Sequence, residues 1–189
     1  CIGPRTEAIM PVHFAGQPAA MSSIMAIARR HGLAVIEDSA ETLGATWDGN
    51  QAGSFGHGCF SFFPTKNMTT GEGGMLTTSD ENLANNARIL RAHGVRRGDS
   101  AVPPWLRSAA VPGYNFRLSN ILAALGLVQL DKLEAMNDSR RVAAHGLAIT
   151  LADVPGIELP VTQPEATHAW QMFTIKLAPS IPRDTFVGI

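Results

Sequence analysis

The chain has 189 residues, enough for one domain with its own core, so neither disulfides nor a structural metal is needed to hold it together. Hydrophobic residues make up 45% and charged residues 16%, a low charge content that points to extensive surface buried within the chain or against partners. The net charge of −1 offers no basic face for nucleic acid, and two cysteines, Cys1 and Cys59, are too few for a disulfide framework or a four-ligand zinc site, which argues for a reducing, cytoplasmic compartment. In chain order, Ala8 to Phe14 is a short apolar run that reads as a buried strand, weakened by Pro11. Met21 to His31 is a helix with Met21, Ile24, Ile27 and Ala28 on one face, basic residues in its last turn and Gly32 as its stop. Leu33 to Ile36 is a second buried strand leading into Glu37-Asp38, and the strand–helix–strand order predicts a parallel βαβ unit.

Ala45 to Gly49 predicts a small hairpin turning at Asp48-Gly49, followed by a glycine-rich loop over 53–58. Cys59 to Phe63 and Gly74 to Thr78 read as strands, and Asp80 to His93 as a helix capped by Ser79 or Asp80 and stopped by Gly94. Residues 95–113, with Pro103, Pro104 and Pro112, form a long connection, a length uncommon without a task. From Ser119 to about Leu151 the pattern is helical, with Leu118, Leu122, Leu125, Gln129, Leu133 and Met136 forming a stripe for core or dimer packing. Its most apolar part, Ile121 to Leu130, is far short of the ~20 residues of a membrane span. Pro155, Pro160 and Pro164 mark a linker, and His168 to Leu177 is expected to be the first strand of a second domain. The opening Cys-Ile-Gly-Pro-Arg has neither an initiator Met nor a leader pattern, and the chain stops just after a helix start at Asp184, so both ends are expected to be cuts in a longer protein.

Ligand sites of open α/β sheets lie at the carboxyl ends of strands, where Asp38, Ser61 and Lys66 fall. Singly each is weak: an acid at a strand end is as often a cap, a loop lysine is usually exposed, and a serine commonly bonds nearby backbone. Together they meet the needs of pyridoxal phosphate, which requires a lysine amine, a carboxylate facing its pyridinium nitrogen and donors for its phosphate. His13, His31 and His93 lack metal-ligand spacing, and no metal is expected. Gly71 to Gly74 is not a phosphate-binding loop followed by Gly-Lys-Ser/Thr, and no Gly-x-Gly-x-x-Gly stands upstream of Glu37 or Asp38 to support a dinucleotide fold.

A set of motifs then runs in order: Val12-His13, Gly16-Gln17-Pro18, Val35 to Ala45, Gly53 to Gly56, Phe60-Ser-Phe-Phe-Pro-Thr-Lys-Asn67, Thr69 to Gly74, Arg91 to Gly94, Gly113-Tyr-Asn-Phe-Arg117, Leu122 to Ala124 and Gln129-Leu130. Over almost its whole length the chain resembles the middle of the DegT/StrS family of nucleotide-sugar aminotransferases. The resemblance implies the large α/β domain of a fold-type I pyridoxal-phosphate transferase, a mostly parallel sheet flanked by helices, over residues 1–154 with its N-terminal part missing. Residues 155–189 would be a linker and the truncated start of a small C-terminal domain. It implies Lys66 as the Schiff-base lysine, Asp38 as pyridinium partner and Ser61 as phosphate-binding hydroxyl. Asn115 would reach the phosphate of the neighbouring subunit's cofactor in a homodimer with shared sites. Glu41 stands where many members carry Gln, near the cofactor's ring hydroxyl; Glu there is associated with amination at the 4-keto position, although an ionised carboxylate cannot donate a hydrogen bond. The implied reaction moves an amino group, usually from glutamate, onto a keto sugar carried by a nucleotide, with the fragment alone expected to be inactive. Two alternatives remain: the related dehydratases, which replace the lysine by histidine and against which Lys66 argues, and a non-catalytic regulatory or interaction protein that keeps the fold.

Overall fold

The computed structural model describes residues 2–96, 105 and 108–188. Its elements are β1 (Ala8–Ile9), α1 (Met21–His31), β2 (Ala34–Asp38), β3 (Thr46–Trp47), β4 (Asn50–Gln51), β5 (His57–Ser61), β6 (Gly74–Thr77), α2 (Glu81–Leu90), α3 (Asn120–Leu151), β7 (Ile157–Glu158), β8 (Ala166–Thr167), β9 (Lys176–Leu177) and α4 (Arg183–Val187).

The main sheet has the order β1-β2-β5-β6. Strands β1, β2 and β5 run parallel, and β6 returns antiparallel against β5, so the sheet is mixed and mostly parallel, as expected. Helix α1 bridges β1 and β2 and packs on both. Its apolar stripe seats Met21 and Ala28 in a core with Val35 and Trp47, around which Ile9, Ile24, Met25 and Phe55 close. Ile27, expected on that face, is 37% exposed instead, and Met25 takes its place. Gly32 ends the helix in the left-handed conformation at φ 64°, with its amide turned back to the carbonyls of Ala28 and Arg29.

Several boundaries differ from the sequence reading. The run from Ala8 to Phe14 is a strand only at Ala8–Ile9; beyond Pro11 it meets β2 through a single parallel bridge between Val12 and Asp38. Proline has no amide to continue the ladder, yet its carbonyl still accepts from Asp38 N at 2.9 Å. Strand β5 begins two residues earlier than expected, at His57, and ends at Ser61. The hairpin forms as read: Asp48 and Gly49 have φ of 46° and 75°, the positive pair that a tight two-residue turn demands. Asp80 caps α2 by accepting from the amides of Asn82 and Leu83, and Ser119 caps α3 through Leu122 N.

Along α3 the buried positions are Gly126, Asn137 and Ala144. Leu125, expected in the packed stripe, is 44% exposed, as are Ile121, Leu127, Val128 and Leu130 to greater degrees. At Gly126 the helix packs closely on neighbouring side chains: a Cβ added there would lie 3.0 Å from the Thr70 Cγ2 methyl. Part of the expected long connection, including Pro103 and Pro104, lies outside the described residues.

The largest departure concerns His168 to Leu177. Only Lys176–Leu177 is a strand there, pairing with β7, while β8 just upstream pairs with β3. Between them, residues 168–172 run irregularly because their backbone bonds are taken by other segments. Ala169 N donates to Gly16 O and Met172 N to Ala15 O, and Trp170 adopts φ 47°.

Candidate active site

The site is built at the carboxyl ends of β2 and β5. Asp38 is the last residue of β2 and pairs with Cys59, so in a parallel register its side chain shares a face with Cys59 and, two residues on, with Ser61. Burial together with the negative charge of Asp38 pushes the Cys59 thiol up, in keeping with that shared face. The backbone of Asp38 is gripped on its other edge by Pro11 O and His13 N. Its Oδ1 accepts from Ala40 N at 3.1 Å, and among the described residues Oδ2 accepts nothing. Ser61 Oγ accepts from Phe63 N at 3.3 Å, so its own proton is uncommitted among those residues.

Lys66 follows β5 in a tight turn whose amide bonds back to Phe63 O. Its Nζ lies 3.6 Å from Glu41 Oε1, and both side chains are mostly buried. The other Glu41 oxygen, Oε2, accepts from Ala15 N at 2.8 Å, which fixes the carboxylate toward the lysine. The structure therefore brings Lys66 to Glu41 and sets Asp38 and Ser61 on one face of adjacent strands.

Asn115 stands elsewhere. It bridges to Ala92, and its Oδ1 accepts from Arg117 Nε at 3.1 Å. It lines a cavity of about 1070 Å³ at the end of α2 and the start of α3, with Arg88, Arg91, Arg96 and Arg117 on the walls. Neither Lys66, Asp38, Glu41 nor Ser61 lines it. None of these four arginines forms an ion pair with another of the described residues.

Behind the site lies a network the sequence reading missed. Glu37, one residue before Asp38 and on the opposite face, is fully buried. Its Oε1 accepts from Phe55 N and Gly56 N, and its Oε2 from Gly53 N and His13 Nε2. His13 Nδ1 accepts from Ala19 N, so the ring proton sits on Nε2 and the imidazole is neutral. Burial acts to raise the Glu37 pKa, but the bonds from His13, Gly56 and Gly53 outweigh it and hold it below the ordinary value. The glycine-rich loop is thus wrapped around a buried carboxylate. His168 lies beneath the Ala15–Gly16 turn, stacked on Trp170 with centroids 3.9 Å apart and accepting through Nδ1 from Trp170 N. Burial pulls its pKa down to about 4.

The donor set suits pyridoxal phosphate: a mostly buried amine, a carboxylate with a free oxygen, and a hydroxyl with a free proton, all at strand ends. Among the described residues no cluster of three or more His, Cys, Asp or Glu side chains has the geometry to hold a metal ion.

Comparison with known proteins gives the same direction. SpsC, a spore coat polysaccharide biosynthesis protein of Bacillus subtilis (strain 168), is 39% identical over 181 residues, covering 93% of this chain and 46% of that protein. The crystal structure of S. venezuelae DesV in complex with a ketimine intermediate matches with a TM-score of 0.87 and 37% identity, over 97% of this chain and 47% of DesV. GDP-4-keto-6-deoxy-D-mannose-3-dehydratase of E. coli, solved with bound hydrated pyridoxal phosphate, matches with a TM-score of 0.88 and 27% identity, over 99% of this chain and 51% of its own. The chain spans about half the length of these relatives. The fold is that of the pyridoxal-phosphate-dependent aminotransferases, and the cofactor is pyridoxal phosphate. The model of the DegT/DnrJ/EryC1/StrS aminotransferase family matches residues 1–188, and the chain belongs to that family.

Proposed function

We propose that this protein transfers an amino group, with glutamate as donor, onto a keto carbon of a nucleotide-linked deoxysugar, in the making of amino sugars for polysaccharides or related products. The observation that carries the reading is the mostly buried Lys66 amine held 3.6 Å from Glu41, beside a strand pair that presents Asp38 and Ser61 on one face. The sugar relatives support it: SpsC is named for polysaccharide biosynthesis, and a solved dehydratase neighbour, ColD, holds GDP-perosamine. The dehydratase alternative loses to Lys66, and a purely regulatory role leaves the paired lysine without a use.

When bound, pyridoxal phosphate supplies an electron sink for charge developing at the amino-bearing carbon. Asp38 holds a proton on the ring nitrogen, which keeps that sink effective. Lys66 would hold the cofactor through its amine, and the same amine, free of its proton, would serve as the base that moves a proton at the substrate's amino carbon. Glu41, anchored by Ala15 N, orients the lysine amine and would stand near the cofactor's ring hydroxyl. Ser61 donates its free hydroxyl proton to the cofactor's phosphate. Asn115, on a cavity walled by four arginines, acts on phosphate of the neighbouring subunit's site, where positive charge matches an anionic ligand.

The same proposal includes a homodimer with shared sites and a cytoplasmic location; no helix among the described residues is long and apolar enough to cross a membrane. It also divides the chain into residues 1–154 and 155–189, with the β7–β9 pair beginning the smaller part and residues 166–172 crossing back onto the larger. Borohydride reduction of the cofactor-loaded protein, followed by peptide mapping, should place the pyridoxyl label on Lys66; glutamate alone should bleach the cofactor's absorbance, and a nucleotide-linked keto sugar should restore it. A label on another lysine, or no amination across a panel of such sugars, overturns the reading.

A further inference from the structure

The residue after Lys66 is Asn67, 3% exposed and surrounded by partners far away in the chain. Its Nδ2 spends both protons, one on Asn137 Oδ1 and one on Ala169 O, each at 2.8 Å. Asn137, fully buried in α3, passes the connection on: its own Nδ2 donates to Leu43 O at 3.0 Å, two residues past Glu41. Ala169 N in turn donates to Gly16 O, and Met172 N to Ala15 O, the residue whose amide fixes the Glu41 carboxylate. On the other side of Lys66, Gln171 Nε2 donates to Thr65 O at 2.5 Å. The residues on both sides of the lysine, Thr65 by its carbonyl and Asn67 by its side chain, are therefore tied to the two segments that hold Glu41, through one pair of buried amides and the irregular run 169–172.

An apolar core residue at 67 would cost less to bury but would leave Asn137 Oδ1 and Ala169 O without donors. A carboxamide is the smallest side chain that places two N–H donors in a fixed plane, whereas serine offers a single rotating O–H donor and an ionised aspartate none. Gly44 shows how closely the relay is packed, since a Cβ there would lie 2.5 Å from Asn137 Nδ2.

We propose that Asn67 and Asn137 form a positioning relay that sets the Lys66 amine against Glu41, so that the lysine is pre-aligned for the cofactor's aldehyde. This rests on reading Lys66 as the cofactor-binding lysine. Covalent attachment joins the lysine nitrogen to the aldehyde carbon and releases water, so its rate reports the alignment of the amine without any sugar substrate.

The test measures attachment of pyridoxal phosphate to cofactor-free protein, trapped with borohydride at timed intervals and quantified by mass spectrometry of the Lys66 peptide. The variants are Asn67→Ala, Asn137→Ala, the double variant, and the milder Asn67→Ser and Asn137→Ser in case the alanine forms fold poorly. Trp47→Phe serves as a control that loses a different, partly buried hydrogen bond, the 2.8 Å bond to Ser22 Oγ, with no link to the lysine. A relay predicts that each alanine variant slows attachment by about tenfold to a hundredfold, the cost of a misplacement of about an ångström. It also predicts that the double variant is no slower than either single, since both break one connection. Trp47→Phe should lower the melting temperature yet attach at the normal rate. Normal attachment in folded Asn67→Ser and Asn137→Ser, fully additive slowing, or equal slowing in Trp47→Phe would overturn the relay while leaving Lys66 as the labelled residue. A label found elsewhere removes the lysine assignment itself, and the relay with it.

Discussion

Asp38 and Glu37 are adjacent acids with different surroundings, and the alternation of β2 separates their duties. Asp38 leaves one oxygen without a donor among the described residues, so, on its proposed role as partner of the ring nitrogen, Asp38→Asn should leave cofactor binding through the phosphate contacts largely intact while removing that charged partner. We expect single-turnover transamination to fall at least about a hundredfold, or ~2.7 kcal/mol; stopped-flow absorbance with glutamate measures it, and a near-normal rate would refute the role. Glu37 instead satisfies four N–H donors inside the fold. Glu37→Gln keeps the shape but turns an NH₂ group toward donors, so two of them lose their acceptor. A loss of about 3 kcal/mol or more is expected in urea unfolding, the scale for breaking a buried charged network. Because the folded-state pKa of Glu37 is depressed, its contribution is present above the ordinary carboxylate value of 4.5 and disappears as pH falls through the lower folded value.

Among the elements, the irregular run 168–172 carries the strongest pH signal. His168 is neutral in the fold down to about pH 4, whereas an unfolded histidine takes its proton near 6.5. Between those values the unfolded chain binds more protons, so stability falls as pH drops from 6.5 to about 4 and then levels off with respect to this group. His168→Asn retains an acceptor for Trp170 N without titrating there, and it should flatten that part of the profile in urea midpoints taken across the range. An unchanged slope would show that other groups carry it. The turn after Glu41 provides a second check. Gly44 sits at φ 81° against Asn137, so Gly44→Ala combines backbone strain with a steric clash and should cost about 2 kcal/mol or more in thermal unfolding.

For the whole molecule, the proposed sharing of sites between subunits gives a prediction that no single-chain defect mimics. Lys66→Ala and Asn115→Ala proteins should each be nearly inactive. If Asn115 serves the partner's site, a mixed dimer has one intact site, built from Lys66 of one subunit and Asn115 of the other. Unfolding and refolding an equimolar mixture should then restore roughly a quarter of normal activity, since half of randomly assorted dimers are mixed and each holds one good site of two. No recovery would place Asn115 in its own subunit's site. The exposed apolar residues of α3, Ile121, Leu127, Val128 and Leu130 among them, are surface that a partner subunit or further chain would cover.

Much of this was legible in the sequence where the cause is local. The period of Met21, Ile24 and Ala28, the Gly32 stop, the Asp48-Gly49 turn and the Asp80 cap all act within a few residues, and the fold contains them as read. Lys66, Asp38 and Ser61 could be named for the same reason, since strand ends and their neighbouring turns are visible in a linear pattern. What the sequence could not disclose is pairing across distance. Glu37 read as an acid with no dinucleotide motif to serve, because its partners lie 16 to 24 residues away in a loop and a bend. Asn67 and Asn137 are 70 residues apart, and Ala169 lies 102 from Asn67. His168 to Leu177 looked like a strand because its residues suit one. In the fold its backbone amides are claimed by Gly16 and Ala15 and its carbonyls by Asn67 and Arg140, so tertiary hydrogen bonds replace a ladder. Local chemistry therefore marked the candidate residues, and only the buried long-range bonds decided how they are held.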